Sequence, residues 1–101
     1  MRRETIYETC VGNVIDITGC ELEHLYESRK EMYVEARMLL VGWLIGYGFT
    51  EGEICQLSGM HQQRVNFLKN EAAKRLSQRV LLRQMRADLS AAMAKMFQRQ
   101  A

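Results

Sequence analysis

The chain has 101 residues and a mass of 11.8 kDa; 48% of the residues are apolar and 26% charged, with seven Gly and no Pro. That length holds one modest core and excludes a second folded domain. The apolar fraction excludes a disordered chain, and the lack of Pro argues against a loop-rich or small all-β scaffold. The longest uncharged apolar run, 38–49, has twelve residues including three Gly, short of the roughly 18 needed to cross a bilayer. Arg2 and Arg3 are followed by Glu4 and Glu8 where a signal peptide would turn apolar, so neither membrane span nor leader is expected, and the expected location is the cytoplasm. Cys10, Cys20 and Cys55 are odd in number and form no Cys-x-x-Cys pair, the pattern of reduced, buried thiols.

The net charge of +2 conceals a segregation. Residues 1–53 carry five Lys/Arg against ten Asp/Glu, and residues 54–101 carry nine against two, giving −5 and +7. A basic C-terminal half points to an anionic partner, nucleic acid before a membrane surface, or to a helix face that is merely solvated by its cations.

Apolar residues recur at helical spacing through most of the chain. Ile6, Cys10, Val14 and Ile17 predict a first helix over about 5–17, with Thr5-x-x-Glu8 as a capping-box start and Gly19 as its left-handed stop. A short helix over about 21–27 is expected to bury Leu22, Leu25 and Tyr26. Ser28-x-x-Glu31 marks a further start, and from Tyr33 to Ile45 the chain is apolar on nearly every side, the pattern of a central helix. Gly42 within that run costs ~1 kcal/mol relative to Ala and implies close approach of a crossing helix. Gly46-Tyr47-Gly48 ends it.

Thr50-Glu51-Gly52-Glu53 is the clearest local signal, a reciprocal capping box with Phe49 placed to staple onto Ile54. Ser58-Gly59 breaks that helix, and apolar positions resume at Val65, Leu68, Ala72 and Leu76, then after a break near Ser77 at Leu82, Met85, Leu89, Met93 and Met96. Two steeply crossed helices need a small residue where they touch, a Gly at the turn, and apolar residues in the second facing the first. Cys55, Gly59, Val65 and Leu68 supply these, so residues of about 50–76 read as a helix-turn-helix. Left facing outward are His61, Gln62, Gln63 and Arg64, then Asn66 and Lys69. Gln and Asn pair bidentately with adenine and Arg with guanine, while a helix N-terminus favours phosphate. Phe67 and Met60 are expected in or at the edge of the core.

At these residues the chain resembles the C-terminal DNA-binding domain, domain IV, of the bacterial replication initiator DnaA. The resemblance runs from Ile6 to about Leu76. It rests on Thr18-Gly19-Cys20-x-Leu22-x-x-Leu25, the basic pair Arg29-Lys30, Ala36-Arg37 in the long apolar helix, Thr50-x-x-Glu53-Ile54, and Gly59 through Val65. It implies Arg29 or Lys30 in the minor groove, Arg37 and Thr50 on phosphate, and Met60 to Arg64 at the base-reading positions. Where the family carries Arg-Asp-His-Thr-Thr, this chain has Met60-His61-Gln62-Gln63-Arg64, so the groups that would pair with the edges of the family's nine-base box differ at every position of the run. No Gly-x-x-x-x-Gly-Lys-Ser/Thr run is present, so initiator ATPase activity is not expected of this chain.

The last helix, about 78–98, sets Arg79, Arg83 and Arg86 on one face and Leu82, Met85, Leu89, Met93 and Met96 on another. Its apolar stripe either completes the core against the first helix or pairs two copies of the chain as a homodimer. His24 and His61 lack metal-ligand spacing, and Cys55 sits at the position the motif needs buried, so no metal, cofactor or catalytic residue is expected. The expectation is one all-α domain over 1–101, a five- to six-helix bundle of DnaA domain IV type. It would bind double-stranded DNA as a stand-alone regulator or accessory factor of replication or transcription, associated with the nucleoid. The competing expectation is a protein-interaction module that keeps the scaffold and has lost DNA binding.

Overall fold

The near-continuous apolar run of 33–45 becomes the axis of the molecule. In the computed structural model, which describes residues 1–100, five α-helices follow in order: α1 Arg3–Thr18, α2 Glu31–Tyr47, α3 Glu51–Ser58, α4 Gln62–Leu76 and α5 Val80–Gln100. A single 3-10 turn, Leu22–His24, lies between α1 and α2, and no strand occurs among the described residues. The fold is all-α. Helix α2 packs against α1, α4 and α5, and Met38, Leu40, Val41 and Leu44 are almost entirely buried. A helix apolar all round requires neighbours all round.

Gly42 has the close approach its position implies. A Cβ there would meet the Ala72 Cβ of α4 at 3.4 Å and a guanidinium nitrogen of Arg86 on α5 at 3.3 Å. The α1 stripe of Ile6, Cys10 and Val14 is buried, and α5 lies along α1, with Leu82, Leu89 and Met93 closed off from solvent. Asn13 of α1 donates to the Met93 sulfur at 3.2 Å. Of the two readings of the last helix's apolar stripe, packing against the first helix is what Leu82, Leu89 and Met93 show, while Met85 and Met96 are only partly covered.

Three helix starts and stops differ from expectation. Helix α1 begins at Arg3 rather than at a Thr5 cap, because the Ile6 amide already bonds to Arg2 carbonyl at 3.2 Å and Glu4 faces the positive end of the helix dipole. Ser28 does not cap α2; its hydroxyl accepts from the Lys30 amide at 3.2 Å, and Lys30 is the residue at the cap. The helix expected over 21–27 shrinks to the 3-10 turn, with Leu22 at 59% exposure and Leu25 fully buried. One deeply buried side chain gives so short a segment too little packing to offset helix nucleation. No described helix is long and apolar enough to cross a membrane.

Candidate nucleic-acid interface

The best-formed local motif is the pair α3 and α4 with the three-residue connection Gly59-Met60-His61. Both halves of the capping box are present: the Thr50 hydroxyl accepts from the Glu53 amide at 3.1 Å, and Glu53 Oε1 accepts from the Thr50 amide at 2.9 Å. Gly59 ends α3 in the left-handed region at φ 78° with its amide bonded to the Cys55 carbonyl, a conformation that burdens any residue with a Cβ. Ile54, Val65 and Leu68 close the angle between the helices. Met60, implied as a reading position, is instead buried at 6% exposure and anchors the turn, as its apolar character alone predicts. Cys55 is half-buried rather than sealed, and its thiol donates to Gln62 Oε1 at 3.6 Å.

With Val65, Leu68 and Ala72 facing inward, the 100° step of an α-helix divides the rest of α4 into three stripes. The outermost holds Gln63, Phe67, Asn70 and Lys74, all exposed. Gln62, Asn66 and Lys69 form a second stripe beside the start of α3, where one carboxylate collects them. Glu51 Oε1 accepts from Gln62 Nε2 at 2.7 Å and from Asn66 Nδ2 at 3.3 Å, and Glu51 Oε2 accepts from Lys69 Nζ at 2.8 Å. The Lys69 ammonium foremost, then the two amides, holds the Glu51 carboxyl below the usual carboxylate range. Three of the expected base readers are therefore engaged within the chain. The i, i+4, i+7 spacing of 62, 66 and 69 was visible in the sequence, but their common partner was not.

Arg64 lies on the third stripe, half-buried and with no ion pair among the described residues. Its charge acts on Arg37, whose guanidinium is held below its usual value first by burial and then by Arg64. Arg37 corrects an expectation: it is not a surface cation placed for phosphate. It is 4% exposed, Nη1 donates to the Leu25 carbonyl at 2.7 Å, and Nε is buried without a hydrogen-bond partner. Its place is dictated by the 20–30 segment, whose free backbone carbonyl it satisfies. Arg29 and Lys30, at the end of that segment, are exposed and form no ion pair among the described residues. Thr50 is exposed, and its capping role uses its oxygen as acceptor, leaving the hydroxyl proton to donate. His61 is the exposed N-cap residue of α4, with no side-chain cap bond.

The basic half of the chain is largely spent internally. Arg75 pairs with Glu31 and, at 3.5 Å, with Glu71; Arg79 reaches Glu35 at 2.5 Å; Arg83 donates to the Leu76 carbonyl at 2.8 Å, a free end of α4. Burial lowers the Arg86 guanidinium, which lies against Gly42 and Gly46. The expected basic face of the last helix is therefore mostly a set of struts. Among the described residues, Arg64 and Lys74 of α4 and Arg29 and Lys30 before α2 have no ion-pair partner. Phe67, expected in or at the edge of the core, is 55% exposed; its register with Gln63 and Asn70, opposite Val65 and Leu68, was the signal that places it outside.

Glu21, Glu23 and His24 can bring ligand atoms within 4.8 Å of one another, but all three side chains are exposed. Exposed acids of that kind gather without need of a metal. Compared with known proteins, the chain matches no family model, no curated protein and no solved structure.

Proposed function

We propose that the chain binds double-stranded DNA, with α3, the Gly59 turn and α4 acting as a helix-turn-helix and α4 lying in the major groove. The observation that carries this is the outer stripe of α4: Gln63, Asn70 and Lys74, exposed and free of acidic side chains, with unpaired Arg64 on one flank. Amides at such positions match the donor and acceptor edges of bases, and a major groove about 12 Å wide admits one helix. Arg29 and Lys30 supply a second contact, in the adjacent minor groove, and Thr50 and Arg64 supply phosphate contacts. The resemblance to DnaA domain IV belongs to the same proposal and supports a role in replication or transcription.

Four cations without an ion-pair partner among the described residues, Arg29, Lys30, Arg64 and Lys74, set the electrostatic share. At about 0.9 per neutralised phosphate, log affinity falls with log salt at a slope of roughly −3 to −4. Mobility shift on random-sequence duplex tests this, with Arg29, Lys30 and Arg64 reversed to Glu as the control. Duplex binding that is salt-independent, or unchanged by the reversal, overturns the proposal. One observation favours a protein partner instead: Glu51 already satisfies Gln62, Asn66 and Lys69. That alternative becomes the better account if no duplex binds at low salt.

A further inference from the structure

Phe67 lies outside the core of the fold. It is 55% exposed, it lies on the far side of α4 from Val65, Leu68 and Ala72, and no aromatic or cationic partner stacks on it among the described residues. The other large aromatics are employed: Trp43 stacks on Tyr47, Tyr47 on Phe97, and Arg3 lies over Phe49 at 4.5 Å. Exposing a phenyl ring forgoes the stabilisation that burial would give. Here that ring occupies the middle of the outer stripe, one turn beyond Gln63 and just before Asn70.

Resting on the DNA-binding proposal above, we infer that Phe67 is a specificity-determining residue that reads thymine through its C5-methyl group. The position selects the ligand chemistry. A side chain on that stripe, between two amides, meets base edges if α4 enters the major groove. Among the groups displayed there, the thymine methyl is the apolar one, and Phe is a side chain suited to it. The neighbouring Gln63 and Asn70 are adenine-type readers, so the three together specify A·T pairs, with the methyl fixing which strand carries the thymine. A wedge role is less suited, because side chains that unstack base steps enter from the minor groove.

Replacing thymine by uracil removes that methyl and nothing else. Duplexes selected from a random 30-base-pair pool by the wild-type protein are re-amplified once with thymine and once with uracil, and both preparations are titrated with wild type, Phe67→Ala and Phe67→Leu. We expect wild type to lose about three- to five-fold per contacted methyl on the uracil duplexes, the size of one buried methyl-sized group. Phe67→Ala binds both preparations equally, and Phe67→Leu restores part of the preference. Because the side chain is exposed, circular dichroism and thermal melting of Phe67→Ala should match wild type. If wild type binds both preparations alike, or Phe67→Ala keeps the preference, the role of Phe67 is refuted while DNA binding stands. If no duplex is retained in the selection, both proposals fall together.

Discussion

Glu35 and Arg79 offer the sharpest test of what holds α5 on the rest of the molecule. Glu35 sits on the central helix α2 with its side chain 9% exposed, and Arg79, at the junction before α5, reaches its Oε2 at 2.5 Å. That oxygen has no hydrogen-bond partner of good geometry, so the charge is countered chiefly by one cation. Removing the partner of a fully buried ion costs about 3–5 kcal/mol. Arg79 is 42% exposed, so water can reach that end of the pair, and we reduce the expectation for Arg79→Ala to about 1–3 kcal/mol. For a domain of this size each kcal/mol lowers Tm by about 4–8 °C. Urea unfolding followed by circular dichroism reads the change as a lower midpoint with an unaltered slope. The double variant Glu35→Gln/Arg79→Ala should regain at least about half the loss, because a neutral amide needs no counter-charge, giving a coupling of about 0.5 kcal/mol or more. If Arg79→Ala stays within about 0.5 kcal/mol of wild type, the range of ordinary surface substitutions, the pair does not anchor α5.

Three further outcomes follow from local geometry. Gly59→Ala should destabilise by about 1–2 kcal/mol with no steric clash, since φ is 78° and nothing lies within 4 Å of the added Cβ. Gly12→Ala, in equally open space within α1, should stabilise by about 0.5–1 kcal/mol; equal effects in thermal melts would show that φ is not the determinant. Glu51 and Glu53 both have carboxyls held below the usual range, Glu51 by Lys69 first and Glu53 by the Thr50 amide first. A lowered folded-state value contributes stability above the unfolded value, and this is lost as pH falls through the folded one; urea midpoints should fall below about pH 4.5, and Glu51→Gln with Glu53→Gln should flatten that decline. Finally, Cys10 is fully buried with its thiol pushed up to about 12 by burial, and Cys20 is 3% exposed, whereas Cys55 is half-exposed. One thiol of three should react promptly with a disulfide reagent in native protein, and Cys55→Ser should abolish that phase.

What was legible in the sequence is what acts within one or two helical turns. The Thr50–Glu53 box, the stop at Gly59, the all-round burial of 33–44 and the crossing at Gly42 depend on neighbours three to four residues away or on side-chain size, and each is present. The candidate interface was legible only in outline. Arg37 and Arg64 are 27 positions apart, and Glu51 lies 11 to 18 positions from its three partners; spacing within one helix carries no information about such pairs. Arg79, Arg83 and Arg86 share a face as expected, yet a shared face does not distinguish solvent from the end of a neighbouring helix. Phe67 was misplaced by its residue type, where the periodicity of its own helix pointed outward.

The cross-links between the two halves have a consequence before the fold exists. Glu31, Glu35 and Glu51 from the acidic portion meet Arg75, Arg79 and Lys69 from the basic portion, so the charge blocks that find one another in the native state are also separate polyelectrolyte segments in the denatured ensemble. At low ionic strength those blocks attract over tens of ångströms, and at 0.1 M the range shrinks to about 10 Å. The unfolded chain should therefore contract as salt is withdrawn. Its collapse would bring the future central helix and its later partners into one neighbourhood before any apolar side chain has found its seat.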